Sequence, residues 1–190
     1  MKFDLKHILK KYLKYYKIRR RFKPEIRLDQ KSKVEHYKNA LTTGELPNFQ
    51  DTGFRLFSQF EEDGLLLYVF TLIGMTNKLF IEFGSDDGIN SNSANLYYNH
   101  DFTGLFLDGN ENALKRGRHF FKNHPNPKVK QAIFKNALIT AENINDLIKD
   151  AGFEDEIALL SIDIDGNDYW VLEKTDTNKI SVICSEYNHW

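Results

Sequence analysis

From Ser58 onward the chain alternates between two kinds of hydrophobic pattern. Short, nearly continuous apolar runs at Lys78–Phe83, Thr103–Asp108, Val129–Phe134, Ile157–Asp163 and Ile180–Ser185 predict five strands. Helical spacing fills the intervals. Ser58 and Glu61 predict a capping box that opens a helix running to about Leu72. Further helices are expected across Ser91–Tyr98, from the capping residue Asn110 to about Lys122, and from Thr140 to a stop at Gly152. A short one across Tyr169–Lys174 precedes the last strand. Strands and helices in strict alternation with short connections predict an α/β fold, a doubly wound, mainly parallel sheet with helices on both faces. The first, fourth and fifth strands are nearly all apolar, as strands covered on both sides should be.

Upstream the pattern changes. Leu5, Ile8, Leu9, Tyr12, Leu13, Tyr16 and Ile18 recur at helical spacing among Lys and Arg, which predicts a cationic amphipathic helix over residues 1–23, ended by Pro24. Residues 25–53 are polar, contain Gly44, Pro47 and Gly53, and read as a linker with at most one short helix. Two domains are therefore expected: a basic helical extension with its linker over 1–53, and a core over 54–190.

Charge sharpens this division. Residues 1–38 hold fourteen Lys/Arg against four Asp/Glu, and the rest of the chain holds twelve against twenty-three. A basic head of this kind predicts contact with an anionic membrane surface; packing on the core with its lysines exposed is the alternative. Nucleic acid is disfavoured, because no binding module accompanies the basic residues. The longest apolar stretch, Leu65–Ile73, is too short to span a bilayer, and the start lacks the apolar core of a signal peptide. Cys184 stands alone, so no intrachain disulfide can form, and its apolar surroundings suggest a small buried hydrophobe. The expected location is cytoplasmic, with peripheral attachment to the inner membrane face through residues 1–23.

The chemistry concentrates where the predicted strands end. Glu82, Gly84, Ser85, Asp86, Asp87 and Gly88 close the first strand, and ligands of doubly wound sheets bind beyond the carboxyl ends of strands. Gly84 permits a sharp turn, and Gly88 permits close approach of backbone to a ligand. Asp108 ends the second strand twenty residues beyond Gly88, where an acidic side chain hydrogen-bonds both hydroxyls of an adenosine ribose. These features fit both NAD and S-adenosylmethionine. Asp86 and Asp87 would repel a pyrophosphate, whereas the ammonium and sulfonium of S-adenosylmethionine suit carboxylates, which favours the methyl donor.

A third group follows the fourth strand: Asp163, Asp165 and Asp168. Asp163-x-Asp165-x-Asn167 begins like an EF-hand loop but lacks its glycine and its bidentate glutamate. A site between strands remains: Asp163 and Asp165 with Glu186, holding a divalent cation such as Mg that orients a hydroxyl. Alternatively, Asp163 holds the methionine amine while Asp168 caps the following helix. The aromatic residues Tyr97, Tyr98, Tyr169, Trp170, Tyr187 and Trp190 are candidates for an acceptor pocket or for core. His100, His119, His124 and His189 show no metal-ligand spacing.

Gln59–Gly64, Ile81–Ser93 (IEFGSDDGINSNS), Gly104–Asn110 (GLFLDGN), Leu159–Leu172 (LLSIDIDGNDYWVL) and Cys184–Asn188 (CSEYN) resemble the FkbM-type methyltransferases over about Phe57 to Trp190. The resemblance implies a Rossmann-like fold and an S-adenosylmethionine-dependent methyl transfer to a hydroxyl of a sugar or glycan precursor. It implies that Glu82, Gly84 and Gly88, with Ser85 and Asp87, surround the methionine half of the cofactor. Asp108 and Gly109 take the ribose, Asn136 and Ala137 lie near the adenine, and Gln59 and Asp63 pack over the cofactor. Asp163 lies beside the transferred methyl. The chemistry of the transfer then asks for a nearby base, Asp165 or a metal-bound hydroxyl. Asp86 stands where many methyltransferases have glycine, which predicts a stiffer loop. The expected strand order is 3-2-1-4-5, truncated before the two strands that usually complete the sheet. Its uncharged edge, Ile180–Ser185, predicts cover by a second copy of the chain or by the N-terminal segment folded back, and a homodimer is the simpler closure. The same truncation leaves open a cofactor-binding or interaction module without methyl transfer.

Overall fold

The computed structural model describes residues 18, 20–123, 132–152 and 156–187. The chain divides into two units, Met1–Pro47 and Asn48–Trp190. Most of the expected helix over residues 1–23 lies outside the described residues.

The first unit corrects the expected linker. Pro24–Thr43 forms a twenty-residue helix, α1, with Pro24 in its first turn; just before it the helical residues Ile18 and Arg20 give way to a turn at Arg21 and Phe22. Proline suits that position, because the first amides of a helix have no partner within it. Gly44 ends α1 at φ 78°, and its amide bonds back to the Ala40 carbonyl. The buried positions, Gln30, Tyr37 and Ala40, are few and include a glutamine, so the hydrophobic period that would announce a helix is faint.

The second unit is a Rossmann-like α/β fold. Its strands are β1 (Leu79–Phe83), β2 (Thr103–Asp108), β3 (Ile133–Asn136), β4 (Ile157–Ile162) and β5 (Ile180–Ser185). They form one sheet in the order β3-β2-β1-β4-β5, with every pair parallel. The helices are α2 (Glu62–Ile73), α3 (Ala94–Asn99), α4 (Glu111–Lys122), α5 (Ile144–Lys149) and α6 (Asp168–Lys174). Consecutive strands are joined by helical crossovers, and the order reverses between β1 and β4. Among the described residues no helix is long and apolar enough to cross a membrane.

Side-chain alternation along the strands builds two unlike cores. Ile81, Phe83, Leu105, Leu107, Leu160 and Ile162 face an aliphatic layer completed by Ile144, Leu147 and Val171. The other face is aromatic. Phe106 stacks on Phe134 at 5.1 Å and meets Phe80 edge-on at 4.9 Å, while Tyr97 and Phe121 close the cluster at 5.0 Å. Tyr97 and Tyr98 are buried here, in the core rather than in an acceptor pocket.

Two local expectations are corrected. The third strand lies at Ile133–Asn136 instead of Val129–Phe134, and residues 124–131 are outside the described residues. At the start of α2, Ser58 is paired with Asp63 rather than with Glu61. Helix α2 begins at Glu62, and Glu61 makes no capping hydrogen bond. Asp63 replaces it: its Oδ2 accepts the amides of Leu56, Phe57 and Ser58 at 2.7, 2.6 and 3.0 Å, while Ser58 Oγ accepts the Asp63 amide.

Candidate functional site

The site is built from loops that leave the carboxyl ends of β1, β2 and β4. After β1, the amides of Gly84 and Ser85 both donate to the Leu107 carbonyl, at 3.0 and 3.1 Å, which turns the chain across β2. Gly84 adopts φ 75°, and a Cβ there would run into the carbonyl oxygen of Asp163. The turn after β1 and the turn after β4 therefore touch backbone to backbone, and only glycine permits both conditions. Asp86 follows at φ 46°, a left-handed conformation that aspartate tolerates better than most residues. Its amide donates to Asp108 Oδ2 at 2.8 Å, and its carboxylate pairs with Arg116 at 3.2 Å.

Asp108 is fixed from several sides. Its Oδ1 accepts the Asn110 amide at 2.7 Å, and the Asn136 side-chain amide donates to its carbonyl at 2.8 Å. Asn110 in turn caps α4 as expected, accepting the amides of Asn112 and Ala113. A carboxylate has about four lone-pair sites. The two backbone amides leave capacity on both oxygens for further donors.

The turn after β4 is shaped by Asp168, which accepts the Ile164 amide at 2.8 Å and the Gly166 amide at 3.0 Å. Asp165 and Gly166 take φ 55° and 110° within that turn. The Asp163 amide continues the sheet by donating to the Phe83 carbonyl at 3.1 Å, and the Glu186 amide donates to the Ile162 carbonyl at 3.0 Å. This brings together the expected trio. Asp163, Asp165 and Glu186 each place a carboxylate oxygen within 4.8 Å of the others. Burial, then the negative charges of Glu186, Asp168, Asp165 and Glu62, push the Asp163 carboxyl up to about 6. Three converging carboxylate oxygens fit a divalent cation whose remaining positions are filled by water.

Between these turns lies a cleft of about 410 Å³, within the range of small-molecule sites. Of the expected residues, Gly84, Asp108, Gly109, Ala137, Asp163 and Asp165 line it. Asn136 stands beside it, holding the Asp108 backbone. Gln59 and Glu186 line a neighbouring pocket that shares Asp163 with the cleft.

Other expected site residues have different partners. Glu82 is buried, with its oxygens accepting the Asn92 and Ser93 amides at 2.8 and 3.1 Å, and burial raises its carboxyl to about 7 against opposing hydrogen bonds. Asp87 is buried and caps the Ile89 amide at 3.0 Å, and Ser85 is buried outside the cleft lining. Gly88 approaches aromatic rings rather than a ligand: a Cβ would lie 3.2 Å from Phe134 and 3.4 Å from Phe106. Asp63 is committed to the turn before α2.

Sequence reasoning did not place Leu138, Ile139, Ile164 or Asn167 in the cleft lining, nor pair Arg116 with Asp86. The apolar pair directly after Ala137 was the available signal for Leu138 and Ile139. Leu138 is 78% exposed at the cleft. Cys184 is pushed up to about 12, by burial first and then by Glu82, Glu62 and Asp163, which removes it as a nucleophile at neutral pH.

No known protein-family model, no curated protein and no solved structure matches the chain. The fold class therefore rests on the sheet itself, and the chemistry rests on the cleft.

Proposed function

We propose that the protein binds S-adenosylmethionine and transfers its methyl group to a hydroxyl of a small-molecule or glycan acceptor, as the resemblance to FkbM-type methyltransferases implies. The observation that carries this reading is the position of Asp108. It stands at the end of β2, beside the β1–β4 reversal, with acceptor capacity left on both carboxylate oxygens. That is where doubly wound folds bind an adenosine ribose.

The charge of the cleft favours the methyl donor over a dinucleotide. Asp86, Asp108, Asp163 and Asp165 line it, and none of its described lining residues is Lys, Arg or His. Such a cleft repels a pyrophosphate and accommodates a sulfonium and an ammonium. Bound there, the cofactor would supply an electrophilic methyl carbon. Asp108 would hold the ribose, Ala137 and Leu138 would flank the adenine, and Asp163 would face the methionine end.

Asp163 also faces the neighbouring pocket, so it can hold the acceptor hydroxyl in line and take up its proton as a general base. Asp165 supports that role from the same turn. A divalent cation on Asp163, Asp165 and Glu186 would supply acceptor orientation by the same carboxylates.

The direct test is thermal shift with S-adenosylmethionine, S-adenosylhomocysteine and NAD. A ligand that binds only the folded state raises the melting temperature by mass action. The first two should raise it and NAD should not; the reverse order would overturn the assignment. Residues 1–23 add a second proposal, association with anionic membrane, supported by their basic composition. Binding to phosphatidylglycerol vesicles should disappear when they are deleted, and unchanged binding would refute it.

A further inference from the structure

Beside the cleft, along the carboxyl ends of β4 and β5, runs a groove made of two adjoining depressions of about 480 and 670 Å³. They share Ser185, Glu186 and Tyr187. Four large aromatic side chains stand in the open there: Phe60, Tyr169, Trp170 and Tyr187 are 65%, 65%, 57% and 84% exposed. Tyr169 and Trp170 meet edge to face at 5.0 Å, which presents two ring faces at a right angle. Aromatic surface gathered this way is ordinarily buried or reserved for a ligand.

The second observation is charge. Glu62, Asp163 and Glu186 line the depression that contains Phe60, and none of the described residues lining either depression is Lys, Arg or His. Ring faces are negative by their quadrupole, and carboxylates are negative by ionisation, so both parts of the groove select for positive charge. A hydrated metal ion would use the carboxylates and leave the rings bare. A neutral ring system would use the aromatic faces and gain nothing from the acidic lining. A group that is both cationic and sheathed in C–H bonds uses both.

We propose that this groove receives an organic ammonium group carried by the acceptor, seated against the carboxylates of Glu62 and Glu186 and the faces of Phe60 and Tyr187. Calling the ligand an acceptor rests on the methyl-transfer reading; recognition of the ammonium does not. The arrangement gives specificity at a distance from the reacting atoms, since Asp163 alone faces both the groove and the cofactor cleft. Binding energy from the ammonium would then position a hydroxyl on the same molecule beside Asp163.

The test uses calorimetry on the full chain with choline and with its neutral isostere 3,3-dimethylbutan-1-ol. Both carry a hydroxyl and have the same shape. Choline should bind, and the isostere should bind about tenfold more weakly or worse. Glu62→Gln and Glu186→Gln keep side-chain size and should each weaken choline by about tenfold, with a smaller effect on S-adenosylhomocysteine. Asp108→Ala should do the opposite, losing the nucleoside and keeping choline, so failure of one assignment is separable from failure of the other. Circular dichroism verifies that each variant is folded. Equal binding of choline and its isostere, or full choline affinity in the folded Gln variants, would overturn the proposal. So would a parent protein that binds magnesium ions but not choline.

Discussion

The carbonyl oxygen of Asp163 occupies the space where a Cβ on Gly84 would stand. The two turns that frame the cleft are thus in backbone contact, and Gly84 holds φ 75° at the contact. Gly84→Ala should force them apart and strain the backbone at once, costing about 2–4 kcal/mol in urea denaturation. Unchanged stability would contradict the close approach.

Asp63 makes a contrasting prediction. Its carboxylate serves three backbone amides and does not line the cleft. Asp63→Ala leaves those amides without an acceptor in a buried turn and should lower stability by about 3 kcal/mol. Nucleoside affinity, measured at a temperature where the variant is folded, should match the parent. A loss of affinity with full stability would return Asp63 to the ligand.

Much of the fold was readable because strands buried on both faces leave unbroken apolar runs. TGLFLD marks β2 in this way. ISVICS marks β5 with its observed ends, although Ser181 and Ile183 are exposed and this edge strand is not covered on both faces as expected. The alternation with helices implies a parallel sheet. β3 was misplaced because Lys135 and Asn136, at its outer edge, carry no apolar signal. α1 was missed because so few of its residues are buried apolar ones. In the site, sequence locates the turns but not the direction of each side chain. Asp108 and Asp163 point into the cleft, whereas Glu82, two residues before Gly84, lies on the aromatic face of the sheet and holds the Asn92–Ser93 backbone. Strand alternation sends neighbours to opposite sides, and the twist of each turn decides the rest.

The pH dependence of stability should carry the mark of Glu82. Burial raises its carboxyl from 4.5 to about 7 in the folded state. The folded chain therefore binds this proton more tightly than the unfolded one. The stability it contributes is complete below about pH 4.5 and is lost as pH rises through about 7, a fall of about 3 kcal/mol. Glu82→Gln should flatten that slope in denaturation curves taken between pH 4 and about 8. The slope is the readout, because the substitution also alters the hydrogen bonds to Asn92 and Ser93. A slope equal to the parent's would show that Glu82 titrates normally.

Asp163 should govern activity in a different window. With its carboxyl at about 6, the ionised base forms as pH rises through that value, and methyl transfer should rise with it. After burial, the negative charge of Glu186 contributes most to raising the Asp163 carboxyl. Glu186→Gln should therefore move the midpoint of the profile to lower pH. A midpoint that stays in place would separate Asp163 from the rate-limiting proton transfer.

The central claim is that Asp108 binds the ribose of a methyl-donor nucleoside in the acidic cleft. A crystal structure with S-adenosylhomocysteine tests it most directly. The account predicts ribose hydroxyls within hydrogen-bond distance of the Asp108 carboxylate, adenine beside Ala137 and Leu138, and the amino-acid end facing Asp163. A nucleoside bound away from Asp108, or a cleft that accepts NAD with its pyrophosphate against Gly84 and Asp86, would contradict it.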